Sequence, residues 1–170
     1  MEEETKRHNK IIEVLFELSK EFKGYKEVHA DHIPNISKGE IIQICSKPNK
    51  SDAKIGITSC FNYRPDLWCE KKGNKIDIFE VWDSQSQEAC VEDVLFSALA
   101  PNIDYLCIIC FNEYEANIAK SLTKLILPHL LNKNENPLLD QNRVLVTFIS
   151  EEILNDKDKL KKYLHDELKF

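Results

Sequence analysis

The stretch Lys75-Ile76-Asp77-Ile78-Phe79-Glu80-Val81-Trp82 alternates in the manner of a β-strand. Ile76, Ile78, Glu80 and Trp82 share one face, and Lys75, Asp77, Phe79 and Val81 share the other. A glutamate on an otherwise apolar face needs partners, because burying a bare carboxylate is costly. Just upstream, Lys71-Lys72-Gly73-Asn74 is a turn signal, and residues 66–70 read as the strand it folds back. Counted from a turn centred on residue 73, Asp66 lies seven positions back and Glu80 seven forward. An antiparallel hairpin of that symmetry sets the two carboxylates opposite each other.

Working outward, Ile11, Val14, Leu15, Leu18 and Phe22 recur at helical spacing, and Gly24 is the expected C-cap of that first helix. Short strands are expected over 25–33, 40–45 and 54–63, with Pro34, Gly39 and Pro48 marking turns between them. After residue 82, Ser84 and Gln87 suggest a capping box opening a helix over 84–100, whose apolar stripe is Val91, Val94, Leu95, Ala98 and Leu99. Residues 103–111 form an apolar run that reads as a buried strand. Asn112 and Glu115 suggest a second capping box, for a helix over 112–127, and residues 143–149 read as another buried strand. Residues 150–170 are charged and helical in pattern. Strands covered on both faces and alternating with helices predict an α/β fold with a mixed central sheet flanked by helices.

The chain has 170 residues, which fits a single domain spanning 1–170. With 23 basic and 29 acidic side chains its formal charge is −6, and only Arg7, Arg64 and Arg143 are arginines. That balance argues against a broad duplex-DNA surface, which relies on phosphate neutralisation by basic groups. No apolar run is long enough to cross a bilayer, and the first ten residues lack the apolar core of an export signal, so a cytoplasmic protein without membrane partners is expected. Six cysteines therefore should be reduced thiols. Cys107 and Cys110 form a CxxC, but residues three apart on a strand face opposite ways and cannot share a metal. The same parity weighs against zinc at His29 and His32. No Gly-rich phosphate loop, HExxH or GxSxG is present.

Tyr63-Arg64-Pro65-Asp66, the turn, and then Glu80-Val81-Trp82 resemble the signature of the PD-(D/E)xK nuclease superfamily. The order of elements, a helix, a three-stranded meander, a helix and further buried strands, is similar to the restriction-endonuclease-like core over residues 8–150. The resemblance implies a nuclease acting on DNA or RNA, with Mg²⁺ or Mn²⁺ held by Asp66, Glu80 and the main-chain carbonyl of Val81. It also implies a homodimer as one form the protein takes. Hard carboxylate oxygens suit such cations, which polarise a phosphate and supply hydroxide at neutral pH. The departure is at Trp82, which stands where the motif carries a catalytic lysine. An indole donates one hydrogen bond and carries no charge. The expectation is therefore a nuclease-like protein with an altered site that cuts slowly or not at all. The alternative is a non-catalytic module on the same scaffold, binding a protein partner or nucleic acid.

Overall fold

The computed structural model describes residues 2–31, 42–44, 61–82, 86–132 and 134–168. The elements run α1 (Glu2–Glu21), β1 (Tyr25–Ala30), β2 (Ile42–Ile44), β3 (Phe61–Tyr63), β4 (Leu67–Lys71) and β5 (Ile76–Trp82). They continue with α2 (Gln87–Leu99), β6 (Ile103–Cys110), α3 (Glu113–Ile126), β7 (Val144–Phe148), α4 (Glu151–Leu154) and α5 (Lys157–Leu168). Five strands make one mixed sheet in the order β1-β4-β5-β6-β7. β1, β4 and β5 are antiparallel neighbours, while β6 and β7 continue parallel to β5. The meander is not built from consecutive strands: β2 and β3 pair with each other in a separate two-stranded sheet.

Every residue of β5 is buried, because helices cover both faces of this central strand. On one face Ile76, Ile78 and Trp82 pack with Val94 and Ala98 of α2 and Ala116 and Ala119 of α3. On the other, Phe79 and Val81 meet Ile11 and Leu15 of α1 and Leu160 and Leu164 of α5. Cys110 lies in the first of these clusters and Cys107 in the second, so the two thiols face opposite ways. Cys69, Cys90, Cys107 and Cys110 are free and buried; Cys45 and Cys60 lie outside the described residues. Among the described residues no helix is long and apolar enough to cross a membrane.

The hairpin closes where the sequence places it. Gly73 and Asn74 take left-handed backbone angles (φ 82° and 59°), which Gly and Asn tolerate better than other residues. The pairing runs Leu67↔Phe79, Trp68↔Ile78, Cys69↔Asp77 and Glu70↔Ile76, which carries Asp66 to the position facing Glu80. Two local expectations need correcting. Gly24 does not cap α1 with a left-handed turn; a Cβ there would lie 2.3 Å from the Phe22 ring, so the glycine makes room for that side chain. α2 is capped by Ser86, whose hydroxyl accepts from the Ala89 N–H, and the expected Ser84 lies outside the described residues. The expected strand over 54–63 is described only at Phe61–Tyr63.

The second cap forms, with Glu115 accepting from the Asn112 side chain and the Phe111 N–H rather than from the Asn112 N–H of a capping box. Asn112 Oδ1 accepts from the Glu115 N–H at 2.9 Å, and Glu115 returns one oxygen to Asn112 Nδ2 at 2.7 Å and the other to the Phe111 N–H at 3.0 Å. Glu115 is only 5% exposed, so its loss strands the Phe111 donor where water does not easily replace it. Glu115→Ala should cost about 1–3 kcal/mol of unfolding free energy by urea titration, and Glu115→Gln distinctly less, because one acceptor remains.

Candidate functional site

Asp66 and Glu80 meet at one end of the sheet, where the link between β3 and β4 passes the end of β5. Asp66 precedes β4 and is anchored by its own main chain, whose carbonyl accepts from the Asp31 N–H at 2.9 Å. Its N–H donates to Glu80 Oε2 at 3.2 Å. Its Oδ2 accepts the Val81 N–H at 2.8 Å and lies 3.1 Å from His8 Nε2 of α1. An extended residue directs its N–H and C=O to the same side, so the Val81 carbonyl also faces the Asp66 edge of β5. The other oxygen of Glu80, Oε1, accepts from the Tyr63 hydroxyl, which in turn lies 2.7 Å from Ser97 Oγ of α2.

Burial separates the two acids. Glu80 is 4% exposed, whereas the Asp66 side chain keeps 16% of its surface. Burial, followed by the charges of Asp66 and Asp93, pushes the Glu80 carboxyl well above its ordinary range; the hydrogen bonds from Tyr63 and the Asp66 N–H oppose that shift without cancelling it. Asp93, on α2, is pushed up to about 7 by burial first, then by Asp66 and Glu92, against a lowering effect of His8. Tyr63 is driven up by burial and by Glu80, so its hydroxyl keeps its proton and donates. The arrangement is a compact acid cluster in which Glu80 and Asp93 hold their protons more tightly than ordinary carboxyls do.

Trp82 shares a face with Glu80 but does not project beside it into an open cleft. It is 4% exposed, packs in the cluster with α2, and its indole N–H donates to the Ser86 carbonyl at 3.2 Å. The side chain at the lysine position is thus part of the core. Trp68 packs against the cluster that holds Tyr63 and Trp82 and stacks on His29, ring centroids 4.1 Å apart; His32 lies outside the described residues. Among the described residues, no group of three or more His, Cys, Asp or Glu side chains is arranged to hold a metal ion. The set implied by the motif has only two such side chains and a main-chain carbonyl, and its donors are all hard oxygens suited to a divalent cation.

No family model, curated protein or solved structure matches this chain. Its chemistry therefore has to be read from the site itself.

Sequence reading had singled out Asp66, Glu80, Val81 and Trp82, with Asp93 on the helix expected to flank them, but not His8, Tyr63 or Ser97 as their partners. His8 sits three residues before Ile11 on the inward stripe of α1, and Ser97 falls between Val94 and Ala98 on that of α2. Both lie at helical spacing from the apolar stripes, a signal that could have placed them toward the sheet but not named what they meet there.

The raised Asp93 has a definite consequence for stability. The folded state holds its proton more tightly than the unfolded chain, whose ordinary value is 3.8. The stability it contributes is full below that value and is lost as pH rises toward about 7. Asp93→Asn should therefore stabilise the protein by about 1–3 kcal/mol near pH 8, as one unit of mismatch corresponds to about 1.4 kcal/mol. In urea titrations the gain should shrink to near zero around pH 4; destabilisation at both pH values would show that the carboxylate is structurally required.

Proposed function

We propose that this protein is a PD-(D/E)xK-like phosphodiesterase of restriction-endonuclease-like core, directed at nucleic acid, whose altered site binds a divalent cation but cleaves slowly. The observation that supports this reading most is the hairpin register. It brings Asp66 and Glu80 face to face at the sheet end, with the Val81 main chain on the same edge. Two parallel strands, β6 and β7, extend the sheet beyond the antiparallel β1, β4 and β5, in keeping with the same core.

Asp66, Glu80 and the Val81 carbonyl would hold Mg²⁺ or Mn²⁺, which when bound polarises a phosphate and lowers the pKa of water. Each of the chain's own groups has a separate task. Glu80 holds a proton until the cluster opens to a cation, because burial and its acidic neighbours make its ionisation unfavourable. His8 and the Val81 N–H fix one oxygen of Asp66 and leave the other available. Trp82 fills the motif's lysine position with packed apolar surface, so no ammonium from that position stabilises developing charge on the phosphate. The burial of Trp82 and the formal charge of −6 also support the second reading, a scaffold that binds without cutting.

Metal binding and cleavage separate the two. With metal at ten times its dissociation constant, binding to the native state alone supplies about 1.4 kcal/mol, or a rise of about 3–5 °C in Tm. Mn²⁺ near pH 8 should raise the Tm of the wild type by that amount, and Asp66→Asn and Glu80→Gln should each remove the rise. Cleavage of single- and double-stranded DNA and RNA should be near background for the wild type and increase in Trp82→Lys, measured per folded molecule. That variant should also lose about 3–5 kcal/mol of stability for the missing aromatic. A wild type with no metal-dependent shift leaves the binding scaffold as the reading, and a shift that survives both carboxylate variants places the metal elsewhere.

A further inference from the structure

The first half of α1 joins the Asp66–Glu80 site to a basic cleft. His8 reaches Asp66 at 3.1 Å, and its neighbour Arg7 reaches Glu151 of α4 at 3.2 Å. Successive helical residues point about 100° apart, so the two contacts lie on different flanks of one helix. Trp82, Cys110 and Phe148 align across β5, β6 and β7, and α4 starts just beyond Phe148. α4 therefore stands at the sheet end that carries Asp66 and Glu80.

Between α1 and α4 lies a cavity of about 360 Å³, lined by Lys6, Arg7, Lys10, Glu151, Leu154 and Asn155. Three cations and one carboxylate give this lining a formal charge of 3 − 1 = +2, in a chain whose net charge is −6. Charge changes sign along α1: residues 5–12 include Lys6, Arg7 and Lys10 and no carboxylate, and Glu13, Glu17 and Glu21 follow. Glu17 and Glu21 pair with Lys157 and Lys161 of α5 at 2.8 and 3.0 Å. Lys10 is half-buried and makes no ion pair among the described residues. Arg7 has its one partner in Glu151, whose side chain is 74% exposed, and a pair so open to water holds the guanidinium weakly. A guanidinium fork and an ammonium facing one cleft match the oxygens of a phosphate.

We infer that this cleft holds a backbone phosphate of a nucleic-acid strand, contacted by Arg7 and Lys10, across α1 from the Asp66–Glu80 site. The inference rests on the nucleic-acid reading of that site, and adds where an acidic protein grips an acidic substrate. A helix diameter of about 10 Å matches about three nucleotide steps of about 3.4 Å, which sets the phosphate held about three nucleotides from the one at the acids. Such a contact positions the strand without reading its sequence.

Fluorescence anisotropy of the full chain with a labelled single strand of about 12 nucleotides, in low salt without divalent metal, tests the cleft. Arg7→Gln and Lys10→Gln should each weaken binding about fivefold or more and flatten the log–log salt slope by about 0.7. Glu151→Gln should tighten binding, because it removes the carboxylate from the lining, and Lys124→Gln, on α3, should change little. A wild type that binds no strand, binding unaffected by Arg7→Gln and Lys10→Gln, or equal losses in Lys124→Gln would overturn the inference. Inorganic phosphate that displaces the strand at equal phosphate concentration would also overturn it, since the cleft would then be a free-anion site. Mn²⁺ alone reports on the acids separately. A Tm rise with Mn²⁺, together with strand binding indifferent to Arg7 and Lys10, removes the cleft and keeps the metal site. Strand binding that needs both residues, without any Tm rise, keeps the cleft and removes the metal site.

Discussion

Covering a single strand on both faces along its whole length governs the rest of this molecule. β5 has no solvent-exposed residue, so each of its side chains must be matched by a helix or a neighbouring strand. α2 and α3 cross one face and α1 with α5 the other, and β4 and β6 occupy its two edges. Burying seven residues so completely yields a large apolar gain, and the same burial makes the two acids in the strand expensive. The partners of Asp77 and Glu80 follow from that expense.

The two acids are accommodated differently. Asp77 has a cation close by: Lys71 joins it to Asp104, and Lys75 pairs with Asp104 at 2.8 Å, forming a chain of alternating charge at the closed end of the hairpin. Burial still raises the Asp77 carboxyl above its ordinary value, against the pull of Lys71 and Tyr25. Glu80 has neutral donors instead, Tyr63 and the Asp66 N–H, with further carboxylates close by. Burial, with the charges of Asp66 and Asp93 adding to it, is what raises the proton affinity of Glu80 in that second cluster. A strand that only had to be buried would have no need of either acid, so each end of β5 carries a carboxyl whose desolvation its neighbours must offset.

Surface charge contributes little to holding the layers together. α5 is tied to α1 by Lys157–Glu17 at 2.8 Å and Lys161–Glu21 at 3.0 Å, pairs exposed enough for water and salt to screen them. The apolar contacts beneath, Leu160 and Leu164 against the α1 stripe, carry the packing. The acidic surplus of the chain is thus spread over helix surfaces and concentrated again at the Asp66–Glu80–Asp93 cluster.

Much of this was legible in the residues alone, for local reasons. Alternation identified β5, the Lys-Gly-Asn turn set the hairpin register, and register is a matter of counting once the turn is known. That was enough to oppose Asp66 to Glu80 and to send Cys107 and Cys110 to opposite faces. Helical periodicity likewise located α1, α2 and α3, and Asn112 with Glu115 marked a helix start correctly because capping is decided within four residues. Tertiary structure alone decided which distant groups meet. His8 reaches Asp66 across 58 positions and Tyr25 reaches Asp77 across 52, separations over which no local pattern acts. It also decided that β2 and β3 leave the main sheet and that Gly24 serves the Phe22 ring rather than a helix cap. Each of these depends on which surfaces compete for the same space, and that competition exists only once the helices have packed on the sheet.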